Sequence, residues 1–187
     1  MAQRSHPPDR IEPAPWQESV WDYPRPPIVV PTDDLVRIIH AGTTVAETRR
    51  AVRVLETSQP PAYYLPRDDV SADLLVPSPS RSWCEWKGTA SYWTLRLPDP
   101  TAPGIRELVV ADVAWSYEAP TEPFLAIAGH LAFYAQRVDE CWVGPSRADG
   151  EEAELERVEP NPGAFYGGWI TSRVVGPFKG GPGSQGW

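Results

Sequence analysis

Short stretches of alternating apolar and polar residues, separated by turn-forming residues, run through the middle of the chain. Residues 35–40 and 45–48 alternate on either side of an Ala-Gly-Thr-Thr turn, and residues 49–57 alternate in the same way. This period of two is typical of strands with one buried and one solvated face. The pattern predicts a hairpin followed by a third strand, with a short helix as the alternative for residues 49–57.

A second hairpin is predicted over residues 82–93, which contain three of the nine tryptophans, one of the two cysteines and one of the two lysines. Two aromatic, β-prone runs flank Lys87-Gly88, and a glycine that tolerates a positive φ favours a tight turn. We expect this turn to expose Lys87 beside Trp86. Its ammonium would then pair with an anion or a carbonyl while the indole stacks on the rest of a ligand. A turn that is merely tight and soluble is the alternative.

Further strands are predicted at residues 105–117, 129–134 and 139–143, the last of them edge-like. Pro66 followed by Arg-Asp-Asp predicts a single helical turn whose acids cap its start, with a metal pair of Asp68 and Asp69 as the alternative. The 23 prolines and 14 glycines interrupt the chain too often for long helices. We therefore predict a mainly β fold with little helix.

Three regions differ in composition. Residues 1–31 hold eight of the prolines together with Trp16, Trp21 and Tyr23, which predicts an extended arm that docks on the body at residues 20–27. Residues 32–145 carry the strand pattern of a single β domain. Residues 146–187 begin with an acidic linker and continue as an arm rich in glycine and aromatic residues, which we expect to wrap around the domain.

The overall charge limits the classes of partner. A net charge of −8 and a pI near 4.9 disfavour nucleic acids, which are bound by clustered basic residues. No apolar run approaches the roughly 18 residues of a membrane span, and the N-terminus lacks a signal-type apolar segment, so a cytoplasmic protein is expected. The two cysteines, Cys84 and Cys141, are predicted to be thiols, and neither a metal nor a cofactor is expected.

Lysine usage is unusual, because 15 of the 17 basic residues are arginine. The two lysines have similar neighbours, in Trp86-Lys87-Gly88 and Phe178-Lys179-Gly180. A lysine kept in an arginine-rich chain is expected where a compact ammonium fits and a planar guanidinium does not.

Four motifs in series resemble domain-of-unknown-function family 427 over about residues 36–143. They are Pro-Ala-Tyr-Tyr-Leu-Pro-Arg-Asp-Asp-Val at 61–70, Cys-Glu-Trp-Lys-Gly-Thr-Ala-Ser-Tyr at 84–92, Ala-Trp-Ser-Tyr at 114–117 and Ala-Phe-Tyr at 132–134. The flanking segments resemble those of longer bacterial members. The resemblance implies a β-tent-like fold of two small antiparallel sheets and an association with a nucleotidyltransferase-like label. Relatives by fold bind small ligands in aromatic cages and often hold zinc with two C-x-x-C pairs, which this sequence lacks.

Three functions remain open on this basis. The first is a small-molecule-binding domain, for which the motifs supply six candidate site residues. These are Tyr64, Trp86, Lys87, Tyr92, Trp115 and Tyr134. The second is an enzyme that acts through Lys87 as a Schiff base. A nucleotidyltransferase-like activity is less consistent with the sequence, because no spaced aspartates follow a Gly-Ser turn.

The third function is a protein-interaction module that uses exposed aromatic residues, including a homodimer formed through the terminal arms. Convergence of the motif aromatics on one cavity would favour ligand binding. Their spread over a flat face would favour protein interaction.

Overall fold

A computed structural model describes residues 9–102, 104–145, 154–163, 165–181 and 183–184. It is mainly β with little helix, as the alternating pattern and the dense turn residues predict, and it is built from several small sheets. The strands are β1 (Glu18–Ser19), β2 (Ile28–Pro31), β3 (Leu35–His40), β4 (Thr43–Thr48), β5 (Val52–Leu55), β6 (Ala62–Tyr64), β7 (Leu75–Cys84), β8 (Gly88–Pro98), β9 (Glu107–Ser116), β10 (Leu131–Phe133), β11 (Glu140–Gly144), β12 (Glu156–Arg157), β13 (Glu159–Pro160), β14 (Trp169–Ile170) and β15 (Val174–Val175). Short 3₁₀ helices lie at Arg67–Asp69, Ala72–Leu74, Glu122–Ile127 and Ala135–Arg137.

Two four-stranded antiparallel sheets form the body, in the orders β10-β9-β8-β7 and β12-β11-β3-β4. A three-stranded antiparallel sheet, β2-β5-β6, lies alongside them. The remaining pairs are β13 with β14, antiparallel, and β1 with β15, parallel. Since β1 and β15 belong to the two terminal segments, the parallel pair joins the ends of the chain.

Both predicted hairpins are present. In the first, β3 pairs with β4 across a turn in which Ala41 and Gly42 have φ values of 48° and 72°. In the second, Cys84 pairs with Gly88, whose φ is 92°. Residues 52–55 form strand β5 rather than the alternative helix, because β2 and β6 pair with it on both sides.

The prediction that residues 139–143 form an edge strand is wrong. Strand β11 is internal, since Trp142 is in register with Arg37 of β3 and with Arg157 of β12. The covering strand comes from the acidic run after residue 149, whose first residues, 149–153, lie outside the described residues.

The largest core cluster draws side chains from both four-stranded sheets, including Ile38, Leu95 and Phe133. Trp169 of the C-terminal segment is fully buried in the same cluster. The N-terminal segment docks where the sequence predicts, with Trp21 and Tyr23 buried in a smaller cluster. The terminal segments therefore add apolar core as well as strands.

The predicted helical turn begins after Pro66, but its acids do not cap it. Asp69 instead accepts hydrogen bonds from Arg50, at 2.6 Å from Nη2 and 3.1 Å from Nε, and from the Thr48 hydroxyl. The hydrogen bond from the Arg50 guanidinium is the main reason that the pKa of Asp69 lies below its ordinary value. Among the described residues, no helix is long and apolar enough to cross a membrane.

Candidate functional site

A cavity of about 310 Å³ opens where the β7–β8 hairpin, strand β5 and the C-terminal segment meet. All six site residues predicted from the sequence line this cavity. They are Tyr64, Trp86, Lys87, Tyr92, Trp115 and Tyr134. Six of the eight motif aromatics therefore line one cavity, and the other two, Tyr63 and Phe133, are buried in the main core.

Trp115 is the centre of the cavity's aromatic floor. Its indole lies 4.5 Å from the Tyr134 ring, centroid to centroid, and its Nε1–H donates a hydrogen bond of 3.1 Å to the Tyr64 hydroxyl. These residues come from β9, from the residue after β10 and from β6, so three strands fix the floor. All three side chains are buried, so packing within the protein itself positions the floor.

The floor tyrosines are neutral phenols at physiological pH. Burial raises the pKa of Tyr64, Tyr117 and Tyr134 well above the ordinary value of 10.0. Tyr92 and Ser82 join their hydroxyls at 2.8 Å on the hairpin side. The cavity therefore offers stacking surface and neutral hydroxyl groups.

Lys87 is buried, with only 8% of its surface exposed, so the expectation of an exposed turn lysine is wrong. The loop after β9 covers the turn, since Thr121 donates backbone and hydroxyl hydrogen bonds to the carbonyl oxygens of Lys87 and Trp86. The Lys87 Nζ lies 5.9 Å and 5.7 Å from the centroids of Tyr117 and Phe124. The Nζ atom itself has no ion pair or hydrogen bond with another described residue.

Trp86 is accompanied by Arg25 rather than by Lys87. The Arg25 guanidinium lies 5.9 Å from the Trp86 ring, and it reaches Glu85 at 3.3 Å and Glu56 at 3.8 Å. Both glutamates line the cavity. Arg25 is therefore shared by the two carboxylates and neutralises one of their two negative charges.

The sequence prediction missed Lys179, which also lines the cavity. Its Nζ lies 5.8 Å from the centroid of Tyr166, another lining residue of the C-terminal segment. The matching aromatic-Lys-Gly contexts of the two lysines were the signal that could have placed Lys179 here. A neighbouring residue, Gly167, packs so closely on Trp115 that an added Cβ would lie 2.5 Å from Cζ3 and closer still to Cη2.

Comparison with protein families matches residues 28–144 of the chain to the domain of unknown function DUF427. The chain belongs to the DUF427 family. The family resemblance seen in the four motifs is thereby confirmed. No curated protein is similar enough to the chain to count as a match.

The DUF427 match contains all six site residues predicted from the sequence, but it does not contain the whole cavity lining. Arg25 precedes the match, and Tyr166, Gly167 and Lys179 follow it. Within the described ranges, no group of three or more His, Cys, Asp or Glu residues is placed to hold a metal ion. The described lining offers aromatic rings, hydroxyl groups, two lysines, the Arg25 guanidinium, two carboxylates and the Cys84 thiol.

Proposed function

We propose that this DUF427 protein binds a small molecule with a flat apolar body and an anionic or carbonyl group. The aromatic floor around Trp115 holds the body, and Lys87 holds the polar group. Pockets of this kind, largely apolar with a few placed polar groups, are typical of small-molecule sites.

The observation that carries the proposal is the burial of Lys87 without a partner. Burial of most of the side chain weakens the hydration of the ammonium, although Nζ is not itself a fully buried atom. Cation–π contact with Tyr117 and Phe124 compensates part of that loss. A carboxylate, phosphate or carbonyl oxygen from a ligand would supply the missing partner.

The first experiment is native mass spectrometry of gently purified full-length protein, followed by calorimetry with benzoate as a flat monoanionic probe. Wild type, Lys87→Met and Lys87→Arg are compared. We expect Lys87→Met to weaken benzoate binding about tenfold or more, because it removes a charge-assisted hydrogen bond. Lys87→Arg should also weaken binding, since the wide planar fork does not fit where a compact ammonium does.

Arg96→Met is the matched control. It also removes one positive charge, from the exposed face of β8, where Arg96 pairs with Glu107 at 3.4 Å and does not line the cavity. It should leave benzoate binding unchanged. Equal affinity in wild type, Lys87→Met and Lys87→Arg would contradict the proposal.

A protein-interaction role has one observation in its favour. Trp83 and Phe165 both line the cavity mouth, and they are 72% and 69% exposed. Aromatic residues are enriched at interaction hot spots. The same native mass spectra test this role, because a partner or a second copy would appear as a larger assembly that Trp83→Ser and Phe165→Ser disrupt.

A further inference from the structure

We infer that the segment after the DUF427 match makes the cavity a two-ammonium site, selective for a small aromatic molecule with two negative charges. This inference rests on the proposed function and names the ligand class. Lys179 is the residue that adds the second positive charge.

The inference rests on how the charged residues of the described lining are distributed. Arg25, Lys87 and Lys179 are cationic, and Glu56 and Glu85 are anionic. Both glutamates lie near Arg25, whereas neither lysine has an ion pair or hydrogen bond through its ammonium to another described residue. The described lining thus has a net charge of +1, in a chain whose net charge is −8, and its two lysines are the cationic residues that lie apart from the Arg25–glutamate group.

The backbone of Lys179 is anchored to the body. Its N–H donates a hydrogen bond of 2.7 Å to the carbonyl oxygen of Ser58, which is itself buried with a φ of 70°. Two residues earlier, the Pro177 carbonyl accepts a hydrogen bond of 2.9 Å from the Trp21 indole. Phe178 packs against the cluster that contains Trp21. Residues 177–179 are thus held by the N-terminal half of the chain.

The side of the cavity around Lys179 is closely packed by glycines. A Cβ at Gly163 would lie 2.6 Å from Cδ2 of Tyr166, and a Cβ at Gly180 would lie 2.9 Å from the same atom. Gly180 also has a φ of 104°, which favours glycine. Because neither glycine has a Cβ atom, the Tyr166 ring can pack against both of them near the Lys179 ammonium.

The same segment lies directly on the aromatic floor. Gly167 contacts the Trp115 ring, and Gly168 is packed against the Pro60 carbonyl. The C-terminal segment that carries Lys179 therefore also contacts the aromatic floor, on which we place the ligand's flat body. Lys87 and Lys179 reach one cavity from separate chain segments, so a ligand with a single charge leaves one ammonium without a partner.

The test compares three probes by calorimetry with the full-length protein. Benzoate carries one negative charge, phenyl phosphate carries two on one group, and isophthalate carries two on separate groups. Wild type is expected to bind at least one of the two dianions about tenfold or more tightly than benzoate. Phenyl phosphate as the tighter probe would indicate that both ammonium groups converge on one group, and isophthalate would indicate two separate subsites.

The variant that tests the inference is Lys179→Met. It should abolish the preference for the dianion while changing benzoate affinity little, and Lys179→Arg should restore much of the preference because the charge is kept in a half-buried position. Melting temperatures of both variants check that the fold is intact.

The two proposals fail in different ways. If benzoate and both dianions bind independently of Lys87, or none of them binds, the proposed function is contradicted. If binding depends on Lys87 but wild type shows no preference for dianions, or Lys179→Met weakens all three probes equally, only the inference about Lys179 is overturned.

Discussion

The indole of Trp169 stacks on the phenol ring of Tyr63, with ring centroids 5.2 Å apart and planes inclined by 26°. Tyr63 lies inside the DUF427 match, and Trp169 lies 25 residues beyond its end at residue 144. The Trp169 Nε1–H also donates a hydrogen bond of 2.9 Å to the Phe133 carbonyl oxygen. The C-terminal segment is therefore fastened into the core that supports the cavity.

Trp169→Ala should lower the free energy of unfolding by about 3–5 kcal/mol, because it leaves a large cavity and removes the ring stack. Trp169→Phe should cost less, since the stack survives and only the hydrogen bond and part of the volume are lost. Urea unfolding measures both. Trp16→Ala is the control at a 62% exposed tryptophan, expected within about 0.5 kcal/mol of wild type. Equal losses at positions 16 and 169 would contradict the burial of Trp169.

Gly167→Ala should destabilise the protein by about 1–3 kcal/mol and weaken probe binding, because the new methyl group would overlap the Trp115 ring. Gly181→Ala is the matched control in the same segment. Its Cβ would meet only ordinary contacts, the nearest at 3.6 Å, so it should be close to neutral. Thermal unfolding measures the stability of the two variants, and calorimetry measures their probe binding. A neutral Gly167→Ala would show that Gly167 does not pack on the Trp115 ring.

Lys87→Met should keep or raise the free energy of unfolding, by about 1 kcal/mol, although it changes a buried side chain. Methionine fills a similar volume, and it removes an ammonium that the described residues leave unpaired. Denaturant unfolding without ligand measures the change. A loss of stability similar to that of an ordinary core substitution would mean that the ammonium has a stabilising partner in the free protein.

Asp69→Asn should slightly reduce stability at neutral pH, because it removes the solvent-screened ion pair with Arg50. The folded-state pKa of Asp69 is lowered from 3.8, so its contribution is present above that value and is lost as pH falls through the lower folded pKa. The difference between wild type and Asp69→Asn should therefore disappear in acid.

The measurement for this prediction is denaturant unfolding across the acidic range. Asp68→Asn, at the adjacent exposed carboxylate, is the control and should match wild type throughout. A difference for Asp69→Asn that stays constant with pH would contradict the ion pair.

Local sequence was sufficient for the strands and turns around the site. Alternation predicted β3, β4 and β9, an aromatic β-prone run predicted β8, and Gly88 marked the hairpin turn, because these signals are properties of a few adjacent residues. The family resemblance rested on the same short motifs. The six candidate residues could be chosen from them because aromatic and lysine side chains are uncommon enough to stand out.

Only the tertiary structure decided what covers each of these elements. Lys87 is buried because Thr121 and Phe124 fold over its turn. Strand β11 is internal because β12 pairs with the edge of β11 that β3 leaves open. Lys179 reaches the cavity through a hydrogen bond to Ser58, 121 positions earlier in the chain. These contacts join residues far apart in sequence, and their pairing is selected by the burial of apolar surface across the whole molecule. The residue types at the site were therefore visible in the sequence, whereas their exposure, partners and charge balance were set by the packing of distant segments.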